Sequence, residues 1–342
     1  MINVNKVLYI LQDNIYISCE HDSFVIKMND VEKQRVPVTI IQQIIVFGNA
    51  TVSAYLIGYC SEHSIMVSYV SSFGDYYGGL RGKSVGNILL RQKQYRLYDN
   101  ADEKLRLVKN IVLVKGENQK SLLAATLANA NEEDAQSLSN AISKISDILG
   151  LLHDLPDVGA VRGTEGSIAS IYFSVFDHMI KIRNTGMCFE KRSKRPPENN
   201  CNAIMSFLYV MLTLNCVSAV ECFGLDSYMG YLHELRPGRE SLACDLVEEF
   251  RAPIVDRFVI RLINRKQITE RDFESQEGDI RLSDDGKKKI LQLWEAEKET
   301  KVLFPLYQKN VPLKLLPYLQ AQLLSEYIRG DLPDYPPYIW EA

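Results

Sequence analysis

The spacing of apolar residues changes once along this chain, and the change requires two differently built domains. From Val7 to about Tyr69 they fall in short β-rich runs, VLYI, NIYISC, SFVIKM, VPVTI and IMVSYV, separated by turn formers such as Gln12-Asp13-Asn14 and Glu20-His21-Asp22. Short runs joined by tight turns predict an antiparallel β-domain over residues 1–85, with one helical piece at 51–60 that Asn49 or Thr51 could cap. From Gly86 onward the period becomes helical, through NILLRQKQYRLYDNADEKLRLVKNIVLVK, SIASIYFSVFDHMIKI, NAIMSFLYVMLTL and ACDLVEEF. Residues 86–342 are therefore expected to form a larger all-α domain, giving an α+β chain.

Composition narrows the classes of function. Hydrophobic residues make up 46% and charged residues 24%, as in an ordinary globular protein of two cores. We read no apolar run of the ~18 uncharged residues needed for a bilayer span, and no basic segment leading an apolar stretch at the start. The expected location is the cytoplasm. Seven cysteines, odd in number and without a C-x-x-C pair, read as reduced thiols rather than a disulfide framework or zinc ribbon. The net charge of −4 leaves any nucleic-acid site to a local patch. One such patch is 181–195, KIRNTGMCFEKRSKR, whose Lys181, Arg183, Lys191, Arg192, Lys194 and Arg195 face a single Glu. It reads either as a DNA-binding loop or as a solvated one.

Three positions carry candidate chemistry. YGGLRGKS at 77–84 ends like a phosphate loop, but Tyr77 stands where the first glycine belongs, so a glycine-rich hinge is the better reading. His233 leads into a helix bearing Asp245 and Glu248 one turn apart, on the side opposite Leu242, Leu246, Val247 and Phe250. Two carboxylates can then point at one place, although a solvated polar face explains them equally. Glu165 is expected to begin the helix EGSIASIYFSVFDHMI, close to the apolar face of Ile168, Ile171, Tyr172, Phe176 and Met179. A carboxylate there needs a partner, unless it merely favours the positive end of the helix dipole. An imidazole with carboxylates from separate helices suits Mg²⁺ or Mn²⁺ with open positions for phosphate oxygens, and hence phosphodiester chemistry.

At these residues the chain resembles the CRISPR-associated integrases of the Cas-one family. The resemblance runs through GKSVGNILLRQKQY, GTEGSIASIYF, PPENNCNAIMSFLYVMLTL, GLDSYMGYLHELRPGRESLACDLVEEFR and LPYLQAQLLSEYIRGDLPDYPPYIWE, in that order. It implies an N-terminal β-sandwich that forms a homodimer beside a helical catalytic domain. It also implies that Glu165, His233 and Glu248 bind the metal and carry the reaction, with Asp245 as the accompanying acid. The reaction implied is transesterification: a spacer DNA 3′-hydroxyl attacks a phosphodiester at the repeat boundary, with a Cas-two partner. The tail DYPPYIW is similar to the type I-C branch, in which a Cas-four nuclease often assists; a docked aromatic C-terminus explains it as well. PENNCNAIMSF departs from the family's P-x-D-P-x-N-A-L-L-S-F at Asn200 and Cys201. Two other readings stay open: a metal-dependent nuclease on branched or single-stranded DNA, and a non-catalytic DNA-binding scaffold.

Overall fold

A computed structural model describes residues 6–10, 12–47, 49–70, 76–80, 88–182, 186–193, 196–276 and 279–340. The chain divides into two compact units, Met1–Asn87 and Ile88–Ala342. The predicted boundary and the end of the glycine-rich stretch, residues 81–87, lie outside the described residues.

In the first unit, β1 (Lys6–Ile10), β5 (Ile41–Phe47), β7 (Met66–Val70) and β8 (Tyr76–Leu80) form one sheet in that order. The other sheet runs β4 (Val31–Pro37), β3 (Ser23–Met28), β2 (Ile15–Glu20) and β6 (Ala50–Val52). The β2–β3 and β3–β4 hairpins turn on His21-Asp22 and Asn29-Asp30, all four at positive φ, as two-residue turns matched to strand twist require. Pairing is mixed rather than antiparallel throughout, since β1 with β5, β5 with β7, and β2 with β6 are parallel. Parallel partners are joined by long crossovers, which leave no local signature in the short apolar runs. Ile17, Phe24, Ile44 and Val67, from both sheets, share one core with Leu56 and Cys60 of helix α1 (Ala54–Glu62). That helix starts later than predicted, capped by Ser53, whose Oγ accepts from the Leu56 amide at 3.1 Å. Residues 50–52 are strand instead.

The second unit is mostly helical: α2 (Ile88–Asp99), α3 (Ala101–Leu127), α4 (Glu132–Gly150), α5 (Val158–Ser174), α6 (Asn200–Cys222), α7 (Ser241–Val247), α8 (Arg257–Asn264), α9 (Asp284–Lys298) and α10 (Leu316–Arg329). Asn100, Asn131, Asp157 and Asn199 cap α3, α4, α5 and α6 through their side chains. The unit is not all-α. Two hairpins interrupt it, β9 (Phe273–Gln276) with β10 (Asp279–Leu282), and β11 (Lys301–Phe304) with β12 (Lys309–Pro312). Strands of four residues are too short to show a period within a helical sequence. The reading that nothing in the chain matches a membrane span also needs correction. By length and composition α6 is long and apolar enough to cross a bilayer, but 78% of that window is covered by the protein around it. Its apolar length serves the core.

The C-terminal tail folds back into this unit, burying Tyr335, Tyr338 and Trp340. Asn118 of α3 holds it: its Nδ2 donates to the Glu249 and Tyr338 carbonyls at 2.7 and 2.9 Å, and its Oδ1 accepts from the Trp340 amide at 2.8 Å. Asn118→Ala would strand three buried backbone groups, and we expect it to cost about 3 kcal/mol in chemical denaturation. A loss below about 0.5 kcal/mol would mean that the tail is not anchored there.

Candidate active site

Four pieces of the helical unit converge on one point. Along α3, Leu107, Val108, Ile111 and Val112 form a buried stripe, and Lys115 lies one turn further on the same side. Its ammonium hydrogen-bonds Glu165 Oε1 of α5 and lies 2.6 Å from Glu248 Oε2, just past the end of α7. Arg251 Nε donates to Glu248 Oε1 at 2.9 Å, and His233 Nε2 is 3.9 Å from that oxygen. Glu165, His233 and Glu248 therefore lie around one spot, with Lys115 between the carboxylates.

Glu165 does not begin its helix. With α5 starting at Val158 behind its Asp157 cap, Glu165 lies more than a full turn inside, beyond the reach of the free amides at the helix start. Its partner is Lys115 instead. Asp245 and Glu248 do not share a solvated face either, since both are buried. Asp245 turns to the loop before α7, accepting the amides of Tyr231, Leu232 and His233 at 2.5, 3.0 and 2.9 Å. It also accepts from His233 Nδ1 at 2.7 Å. A carboxylate oxygen accepts, so Nδ1 carries the proton of this bond and Nε2 is the ring nitrogen that faces Glu248. Arg162, one turn before Glu165 on α5, fastens the same loop by donating to the Leu232 carbonyl at 2.6 Å. Gly230 lets it lie flat, because a Cβ there would stand 2.5 Å from the Ser241 carbonyl carbon.

Behind the site, a π-helical turn, Arg251–Asp256, follows Glu248 and contains Pro253, which lacks the amide an α-helix would use. Asp256 ends it and joins the helices: Tyr172 of α5 and Tyr209 of α6 donate to its two oxygens at 2.9 and 2.5 Å. Arg251 also lies 4.4 Å over the Tyr209 ring. Burial opposes charge on Glu248, but Arg251, Lys115 and His233 outweigh it and hold this carboxyl well below the usual range. For Asp256 burial prevails over its hydrogen bonds and pushes the carboxyl up to about 6.

Among the described residues no three His, Cys, Asp or Glu side chains stand as a ready metal cage. At this spot the Lys115 ammonium takes the central place. The donor set nevertheless fits a divalent ion: Glu248 Oε2 is buried with the Lys115 ammonium as its one polar partner among the described residues, Glu165 Oε1 meets the same ammonium, and His233 offers Nε2. Sequence reasoning missed Lys115, Arg251 and Arg162. Only Lys115 left a signal, a lysine continuing an apolar helical stripe.

The basic segment divides. Lys181 and Lys191 are exposed, Lys191 pairing with Glu198 at 3.0 Å. Arg192 is turned inward, donating to Asn202 Oδ1 at 2.7 Å and Ser206 Oγ at 3.1 Å. Arg183, Lys194 and Arg195 lie outside the described residues. Asn200, where the sequence departs from the family pattern, donates to the Gly186 carbonyl at 2.8 Å, and Cys201 is buried. This part of the chain is thus sewn to the start of α6.

The Asp256 carboxyl, raised from 3.8 to about 6, favours folding most while protonated. Stability should fall as pH rises from about 4 to 6, by on the order of 3 kcal/mol from this group. In Asp256→Asn, denaturation across that range should lack this slope; an unchanged slope would contradict the assignment.

The profile of CRISPR associated protein Cas1 matches residues 8–296. A CRISPR-associated endonuclease Cas1 of Chlorobaculum tepidum is 37% identical over 337 residues, 98% of each chain. Two solved structures share the fold. A casposase bound to integration product is 22% identical with a TM-score of 0.82, covering 96% of this chain and 92% of that one. A chain of a Cas6-RT-Cas1–Cas2 complex is 21% identical with a TM-score of 0.83, covering all of this chain and 36% of its own length. Matched along nearly its whole length by one family, this chain belongs to the Cas1 proteins of CRISPR systems.

Proposed function

We propose that this protein joins the 3′-hydroxyl ends of short spacer DNA to a CRISPR repeat by transesterification at Glu165, His233 and Glu248. The observation that carries the reading is the convergence of two carboxylates from separate helices on one cation, with an imidazole nitrogen turned toward the same place. Similarity to a relative named an endonuclease over 98% of both chains supports it.

Glu165, Glu248 and His233 Nε2 would hold Mg²⁺ or Mn²⁺, which when bound supplies charge stabilisation at a phosphodiester oxygen. Asp245 keeps the proton on His233 Nδ1 and fixes the ring. Arg251 fixes Glu248 from the opposite side. In the joining step the spacer 3′-oxygen forms a bond to the phosphorus at the repeat's 5′ end as the bond from that phosphorus to the 3′-oxygen of the adjoining flanking strand breaks. The attacking hydroxyl loses a proton and the departing oxygen gains one. One phosphodiester replaces another, so no high-energy cofactor is consumed.

The DNA backbone would run over the basic segment, with Lys181, Arg183, Lys191, Lys194 and Arg195 reaching phosphates and Arg192 as the internal anchor. The reading carries with it a Cas-two partner, in line with the complex whose Cas1-containing chain shares this fold, and a cytoplasmic homodimer. We place the dimer contact on the first unit, as a β-sandwich that exposes Tyr16, Val31, Ile40 and Tyr55. Type I-C membership and Cas-four assistance belong to the same proposal. A second reading, in which water replaces the 3′-hydroxyl and the DNA is cut, follows from the relative's printed name.

With Mn²⁺, Cas-two, a repeat-bearing plasmid and a duplex with free 3′-hydroxyls, we expect covalently joined product. Glu165→Ala, His233→Ala and Glu248→Ala should each reduce it roughly 100-fold or more. Cutting without joining supports the nuclease, binding without chemistry supports a scaffold, and full joining by all three variants refutes the site. Neutralising Lys181, Lys191, Lys194 and Arg195 should weaken DNA binding and flatten its logarithmic salt slope by up to about 0.9 per lost contact. An unchanged slope would return the segment to a solvated loop.

A further inference from the structure

The two carboxylates that face Lys115 are balanced without an added ion. Glu165 and Glu248 bring two negative charges, and Lys115 and Arg251, both in contact with them, bring two positive ones. Lys115 is not a surface lysine that happens to reach in. Its side chain is 9% exposed and continues the buried stripe of α3, so its ammonium has been taken out of water to stand between carboxylates of two other elements. Such a charge is costly to bury unpaired and holds its partners firmly. Glu248 Oε2, buried, meets this ammonium at 2.6 Å and has no other polar partner among the described residues, which leaves it open to exchange one cation for another.

A divalent ion entering this site displaces the ammonium from at least one carboxylate, and the surroundings then carry more positive than negative charge. In a poorly solvated site that excess is unfavourable. A phosphodiester brings the missing negative charge, and an ammonium on a flexible four-carbon stem can move to it. The ion and the DNA phosphate should therefore bind weakly apart and tightly together, each raising the affinity for the other by the same factor.

Building on the metal-dependent reading above, we propose that Lys115 is a built-in counter-ion that makes metal loading conditional on the DNA phosphate. In the metal-free protein it holds Glu165 and Glu248 together. When DNA arrives it gives up its place between them and pairs with a phosphodiester oxygen. The site is then complete only when there is something to act on.

The test is a titration of free Mn²⁺, read by electron paramagnetic resonance, against the full-length protein with and without a branched duplex carrying the repeat boundary. In wild type the duplex should tighten Mn²⁺ binding about tenfold or more. Lys115→Met keeps the stem and removes the charge. It should bind Mn²⁺ about tenfold more tightly without DNA and lose most of the further tightening with it. It should also melt lower than wild type without metal and gain more from added Mn²⁺. Lys115→Gln, which keeps a polar end, should show the same pattern should the methionine variant fold poorly. Wild-type affinity that is indifferent to DNA, or DNA-free affinity in these variants that is unchanged or weaker, overturns the proposal. Glu165→Gln separates this from failure of the underlying reading: it should lose the Mn²⁺ site, and wild-type affinity in that variant would refute the metal assignment itself.

Discussion

A carboxylate cannot be taken out of water alone, and the arrangement of the helical unit follows from the burial of Glu248. Its charge is met by Lys115 from α3, Arg251 from the following turn and the His233 imidazole from the preceding loop, while Lys115 in turn draws in Glu165 from α5. Each partner comes from a different piece of chain. The ion pairs thus do what apolar packing does poorly, which is to specify one relative position of the elements that carry them. Removing any one charge leaves the rest of the cluster unbalanced.

Around that cluster the structure spends polar groups on holding short irregular segments still. Asp245 gathers the Tyr231–His233 amides, Asp256 ties α5 and α6 through two tyrosines, and Glu249 receives Gln320 Nε2 at 2.9 Å, the Tyr338 amide at 2.9 Å and the Tyr335 hydroxyl. All three acids flank or follow Glu248 in sequence. The π-helical turn belongs to the same economy, because it offsets the chain after Glu248 so that Arg251 faces the site and Asp256 faces the tyrosines. The tail that docks on Glu249 makes the end of the chain part of the same support.

Much of this was legible in the sequence, and the failures have physical causes. The change of apolar period marked where strands give way to helices, and turn formers at His21-Asp22 marked a real hairpin. Parallel pairing was invisible because it is set by contacts far apart in sequence. The four short strands of the second unit lay below the length at which a period can be read. Glu165 was singled out for lying near an apolar face, and that reasoning survives, but its helix begins earlier, so the dipole explanation falls and the Lys115 partner replaces it. Asp245 and Glu248 looked like solvated neighbours because helical geometry places them together; burial by the rest of the unit could not be seen from their own helix. Arg251 and Arg162 left no local trace, since an arginine beside a helix is ordinary until its partner is known. The metal-binding roles proposed for Glu165, His233 and Glu248 came from resemblance.

We propose that Glu165, His233 and Glu248 share one divalent ion while Lys115 stands aside for DNA. The most direct measurement is a crystal structure of the protein with Mn²⁺ and a branched DNA duplex. One ion should lie within ~2.0–2.3 Å of all three side chains, with the Lys115 ammonium moved to a phosphate oxygen. An ion bound elsewhere, or Lys115 still bridging Glu165 and Glu248 in the DNA-bound protein, would contradict it.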